Sequence, residues 1–194
     1  MWPLVSIRNR NEISAVTYAG EQVLKVGGIV SCFALFLGGA APSFATPVDA
    51  ARAFAQNCFS PFLTARKAQA AFEDTGARHD FYDLDPFSNV APTPAFGLRP
   101  ATRGTDRRCE VSFDGNHAAL AVEFATNGLR AEGLNRDVPV PETHKPVPGT
   151  ELLAARRLNP RKIAVVHVGT RPGPNGTETF MNVERLSPSA SQQN

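Results

Sequence analysis

The stretch Val165–Leu186, VVHVGTRPGPNGTETFMNVERL, decides how this chain folds. A β-branched run enters a segment of glycine and proline, and a second apolar run leaves it. Gly169, Gly173 and Gly176 resemble a phosphate-cradling loop. Such a loop ends on a helix N-terminus, where free N–H groups and the helix dipole meet the anion. The residues after Gly176 are Thr-Glu-Thr-Phe-Met-Asn-Val, which are strand-like, and no Gly-Lys-Ser/Thr occurs. Asn175-Gly176 between apolar runs is instead a type I′ turn signal. The stretch therefore reads as a hairpin, with an anion contact through Arg171 as the alternative. Asn175-Gly-Thr177 also has the form of a glycosylation acceptor.

On either side of this hairpin the chain alternates between helix and strand patterns. Strand candidates run from about Thr150 to Arg157, Arg161 to Val168 and Thr177 to Arg185. Thr105 to Phe113 alternates, with Cys109, Val111 and Phe113 on one side and Arg108, Glu110 and Ser112 on the other. His79 to Leu84 reads as a short strand. Thr46-Pro47-Val48-Asp49 opens a first helix with a capping threonine, a proline at the first position and an early acid. A second helix is expected from Thr64 as cap to Gly76, and a third from Asn116 to about Gly133. Asn135 to Gly149 is a proline-rich connector. The expected fold class is α+β: two layers, a mainly antiparallel sheet with about three helices on one face, and one disulfide. Residues 46–186 form this single domain, and 187–194 are expected to be a disordered polar tail.

The N-terminus reads as a targeting segment. Residues 27–41, GGIVSCFALFLGGAA, are uncharged and follow Lys25, and Ser43 and Ala45 suit a signal-peptidase site. The apolar run falls short of the roughly 20 residues of a membrane span. Residues 1–45 are thus expected to be an extension plus signal peptide, with the true start at Val23. The expected location is the periplasm or the outside, with no stable membrane span after cleavage. Lipidation at Cys32 does not fit, because the apolar stretch follows that cysteine rather than preceding it. Cleavage takes Cys32 and leaves Cys58 and Cys109, an even pair in an oxidising compartment. Helical spacing puts Cys58 on the buried side of the first helix, and alternation turns Cys109 inward. The pair reads as a disulfide, with two unpaired buried thiols as the alternative.

The chain has 194 residues, 42% hydrophobic and 20% charged, with a formal charge of +2. That charge is too small to imply a nucleic-acid partner. Four clusters carry candidate chemistry. The stretch from His79 to Asp85 offers carboxylates to a hard cation but lacks the spacing of a calcium loop. Ser112, Asp114 and His117 are the residue types of a nucleophilic triad without its Gly-x-Ser-x-Gly elbow. Arg99, Arg103, Arg107 and Arg108, with Arg171, are candidates for binding an anionic ligand, since guanidinium forks suit carboxylates and phosphates. Asp106 and Glu110 make a surface ion-pair network the other reading. The fourth is the hairpin segment itself. His144 and His167 show no partner at ligand spacing.

Taken together, NCFSPFLTARKAQ, GTDRRCEVSFDG and the hairpin stretch resemble small exported alphaproteobacterial proteins of unknown function. That resemblance would span nearly the whole mature chain and implies no catalytic, cofactor or metal residues. The functional expectation is an exported, disulfide-stabilised domain that binds or interacts. The alternative is a small periplasmic enzyme or anionic-ligand binder using the arginine-bearing loop 85–108. A small anionic ligand or a protein is the expected partner, without a cofactor.

Overall fold

The computed structural model describes residues 46–84 and 102–192. Along the chain lie α1 (Pro47–Asn57), α2 (Ala65–Glu73), β1 (Arg78–Asp83), β2 (Thr105–Asp114), α3 (Ala118–Ala131), β3 (Asp137–Val138), β4 (Thr150–Asn159), β5 (Lys162–Gly173), β6 (Gly176–Leu186) and α4 (Pro188–Ser191). The six strands form one antiparallel sheet in the order β1-β2-β6-β5-β4-β3. This is the expected α+β class. The proposed extension and signal, residues 1–45, lie outside the described residues, as do Arg99 and most of the loop 85–108. No helix among the described residues is long and apolar enough to cross a membrane.

Local chemistry explains the helix starts. Thr46 Oγ1 accepts from Asp49 N at 3.2 Å and Thr64 Oγ1 from Lys67 N at 3.3 Å, each satisfying a first-turn amide. For α3 the expected cap is displaced by one residue. His117 occupies the cap position without a side-chain bond, while Asn116 Oδ1 accepts from Ala118 N at 3.3 Å.

Helices α1, α2 and α3 cover one face of the sheet. Their small residues, Ala50, Ala51, Ala68, Ala121 and Ala125, let Phe54, Phe59 and Phe72 reach Val111, Val166, Met181 and Val183. Gly128 of α3 sits against α1, where an added methyl would meet the Phe59 ring at 2.6 Å and Ala55 O at 2.8 Å. The disulfide Cys58–Cys109 joins the end of α1 to β2, with Cα atoms 5.5 Å apart. It closes 51 residues of sequence, worth about 4 kcal/mol in the chain-entropy account.

The β5–β6 hairpin is present, with its turn one residue earlier than the sequence suggests. Gly173 pairs with Gly176, so Pro174 and Asn175 form the loop. Among the described residues no non-glycine has a positive φ, which excludes a type I′ turn, whereas Gly176 has φ of 108°. The Pro174 ring fixes φ near −65° at the first loop position and so selects the unprimed geometry. Gly176 opens a strand, so no helix N-terminus stands ready for an anion.

Two further expectations change. The tail is partly ordered: Ser187 caps α4, and Ser191 Oγ accepts from Ile163 N at 3.1 Å. Ala190 of this turn packs on Ala155, Ile163, Val165 and Leu186, a second apolar cluster on the face away from α1–α3. The polar side of β2 is also covered. Arg108, Glu110 and Ser112 are all buried, with Arg108 only 1% exposed.

Candidate functional site

The covered second face carries charge where an interior usually carries hydrocarbon. Cross-strand register sets Asp80, Glu110, Asn182 and His167 in one row, and Arg108 beside Glu184 in the next. Buried charges persist only when paired, and these are. Arg108 meets Asp80 at 2.5 Å. Arg171 is clamped between Glu110 and Glu178, each at 2.6 Å. Arg78 bridges Glu178 at 2.6 Å and Asp114 at 2.8 Å.

The connector crosses this face because its prolines keep it out of the sheet. Pro139, Pro141, Pro146 and Pro148 cannot donate ladder hydrogen bonds. The segment is instead held by turns, with His144 N bonding Pro141 O at 2.9 Å and Thr150 N bonding Val147 O at 3.0 Å. Between residues 142–147 and the sheet lies a cavity of about 530 Å³. Its walls include His144, Lys145, His167, Arg171, Phe180 and Glu184.

Glu184 anchors the roof of this cavity to its floor. Its Oε2 receives Thr105 Oγ1 at 2.8 Å and lies 3.1 Å from His144 Nε2, while Asn182 Nδ2 donates to Oε1 at 3.3 Å. Burial raises the Glu184 pKa, but hydrogen bonds from His144, Thr102 and Thr105 prevail and hold it at about 2. The carboxylate is therefore ionised, and the His144 nitrogen facing it must carry a proton. That leaves His144 Nδ1 toward Thr143 Oγ1, 2.9 Å away. Across the cavity, Thr150 Oγ1 accepts from Val147 N at 2.9 Å and lies 2.7 Å from His167 Nε2. The His167 ring meets the Phe180 ring edge-on at 5.0 Å, and the Arg171 guanidinium lies 5.0 Å from the centre of the Phe180 ring. Burial lowers the Arg171 pKa, yet Glu110 and Glu178 outweigh it and the net shift is upward.

Among the described residues, the candidate arginines Arg103, Arg107 and Arg171 line different hollows. Arg171 lines this cavity, and Arg108 is buried against Asp80. Arg107 points to the helix side, where it binds Asp83 at 2.9 Å and Pro61 O at 2.9 Å and lines a separate cavity of about 380 Å³. Its cross-strand neighbour Arg185 also lines that cavity. The Arg185 pKa falls to about 10 through burial and the neighbouring Arg107 charge, and it remains a cation at neutral pH. Arg103 lies in a third hollow beside Glu142, Thr143 and Ser189. Arg107, Arg108 and Arg171 are thus each engaged by carboxylates, at different places on the sheet.

The other sequence candidates separate as well. Asp80 and Asp83 point to opposite faces and each meets an arginine. Among the described residues, no group of three or more His, Cys, Asp or Glu could hold a metal ion. Ser112 faces the covered side and Asp114 pairs with Arg78, while His117 stacks 6.2 Å from the Phe113 ring on the helix side. They form no triad. His144, His167 and Glu184, titratable groups of the cavity, are not singled out by sequence spacing. The available clue is Glu178, Asn182 and Glu184 on one side of a strand whose other side carries Met181 and Val183 at its centre. Comparison with protein-family models, with curated proteins and with solved structures yields no match.

Proposed function

We propose that the protein is an exported, disulfide-stabilised domain that binds a small ligand in the cavity beneath residues 142–147. The observation that carries this reading is the cavity itself. At about 530 Å³ it is within the size range of small-molecule sites, and it joins the apolar surface of Phe180 and Val147 to fixed polar groups. Export is supported by the N-terminal apolar segment ahead of Ser43 and Ala45 and by the Cys58–Cys109 bond, which suits an oxidising compartment.

The charge balance favours neutral or cationic ligands. Glu142 and Glu184 line the space together with the cation Lys145, and Glu110 and Glu178 compensate Arg171. This departs from the anionic ligand that the arginine content suggests. A thermal-shift screen with neutral, cationic and anionic small molecules tests the reading. A neutral or cationic hit should raise Tm in the wild type and lose its effect in Val147→Trp, a substitution at an exposed cavity-lining position. A panel without any hit, or a hit unchanged by Val147→Trp, refutes it and favours a protein-interaction role.

A further inference from the structure

Building on that cavity, we infer that Thr143, His144 and Glu184 form a hydrolytic relay for small uncharged carboxylic esters. The three groups are in series: Thr143 Oγ1 to His144 Nδ1 at 2.9 Å, then His144 Nε2 to Glu184 Oε2 at 3.1 Å. A carboxylate only accepts, so Glu184 accepts a hydrogen bond from Nε2–H, and in the neutral imidazole the Nδ1 lone pair then faces the hydroxyl. This is the order nucleophile, base and orienting acid that activates a hydroxyl. Burial runs in the same order, with Thr143 exposed at the cavity, the His144 side chain 8% exposed and that of Glu184 1% exposed. Glu184 is in turn fixed by Thr105 and Asn182, so the orienting group is itself held.

The reaction closes in two steps. Thr143 Oγ1 bonds to the ester carbonyl carbon as its proton passes to His144 Nδ1. The bond from that carbon to the alkoxy oxygen then breaks, and the departing alcohol takes the proton from Nδ1. Water next adds to the acyl-threonine carbon and gives its proton to Nδ1. Thr143 leaves with that proton, so the sum is ester plus water giving carboxylic acid plus alcohol. Lys145 follows His144 directly and lines the same cavity, supplying positive charge for the oxyanion of each addition step. Glu142, Glu184 and the glutamates behind Arg171 exclude substrates that are already anionic.

The test is p-nitrophenyl butyrate hydrolysis by the full chain. The rate should exceed the buffer rate by at least about 100-fold, the lower range of positioned acid–base catalysis. Thr143→Val should lose that excess and Thr143→Ser should retain it, while Glu184→Gln lowers kcat with KM unchanged. A fluorophosphonate probe, losing fluoride, should become attached at Thr143, as peptide mass spectrometry will show. Hydrolysis that is absent in the wild type, or equal in the wild type and Thr143→Val, overturns the relay. The second outcome is what a bare surface imidazole gives. Thr143 is exposed, so its variants leave the fold intact. The ketone 1-phenylpentan-2-one, which cannot be hydrolysed, separates the two levels. A Tm rise with this ketone but no turnover sinks the relay and leaves the binding cavity standing; no turnover together with a panel without any hit sinks both.

Discussion

Gly128→Ala should destabilise the protein, although the same change in an exposed helix stabilises it. Gly128 lies inside α3, where replacing glycine by alanine gains about 1 kcal/mol of helix propensity. Against this, the new methyl would sit 2.6 Å from Phe59 Cε2, 2.7 Å from Phe59 Cδ2 and 2.8 Å from Ala55 O. The carbonyl belongs to the backbone of α1, and Phe59 is held edge-on against Phe54 at 5.4 Å, so neither yields freely. Overpacking of a filled core costs roughly 1–3 kcal/mol, and here the contacts argue for the upper part of that range. The net loss should be about 1–2 kcal/mol, which for a domain of this size lowers Tm by roughly 3–6 °C. Urea denaturation followed by circular dichroism measures it. Gly133→Ala is the control: φ there is +74° and nothing lies within 4 Å, so only backbone strain acts. In a Phe59→Leu background the Gly128→Ala penalty should shrink by about 1 kcal/mol, the coupling expected of touching residues. A stabilised Gly128→Ala protein would falsify the close packing of α1 on α3.

Replacing Cys58 and Cys109 together by alanine should lower stability by about 4 kcal/mol in denaturant titration, and the wild type should gain mass on reduction. Glu184 has a folded pKa of about 2 against an ordinary 4.5, so its contribution is complete above pH 4.5 and disappears as pH falls through 2. That shift corresponds to about 3 kcal/mol, and Glu184→Gln should flatten the stability profile across this window in acid-unfolding measurements. Ser191→Ala leaves the buried Ile163 N–H without its acceptor and should cost about 1 kcal/mol. Proteolysis should then clip the C-terminal turn faster than in the wild type.

The helix side of the fold is legible in the sequence because its signals are periodic. Cys58 on a helix face and Cys109 in an alternating strand independently point into the same core, and they are bonded. The other side is illegible for a physical reason. Arg108, Glu110, Asn182 and Glu184 show the polar half of an alternating pattern, which is identical whether water or protein covers it. The cover here is a proline-rich segment without periodicity and a four-residue turn at the C-terminus. His144 cannot be matched to Glu184 from spacing, because 40 residues and a chain crossing separate them. The hairpin is legible and its turn type is not, since Pro174 outweighs the Asn175-Gly176 preference.

The position of β6 has a consequence for how the chain is made. It is the last strand in sequence, yet it lies between β2 and β5 and hydrogen-bonds to both. Without β6 the sheet divides into two ribbons, β1–β2 and β5–β4–β3, whose facing edges on β2 and β5 lack a partner. Assembly has to wait for that strand, and the β2–β6 pairing spans a long sequence separation, which slows folding. Chains that terminate early, before Gly176, retain two open edges of the kind that pair with other molecules. β6 is thus the strand that joins the two ribbons into one sheet.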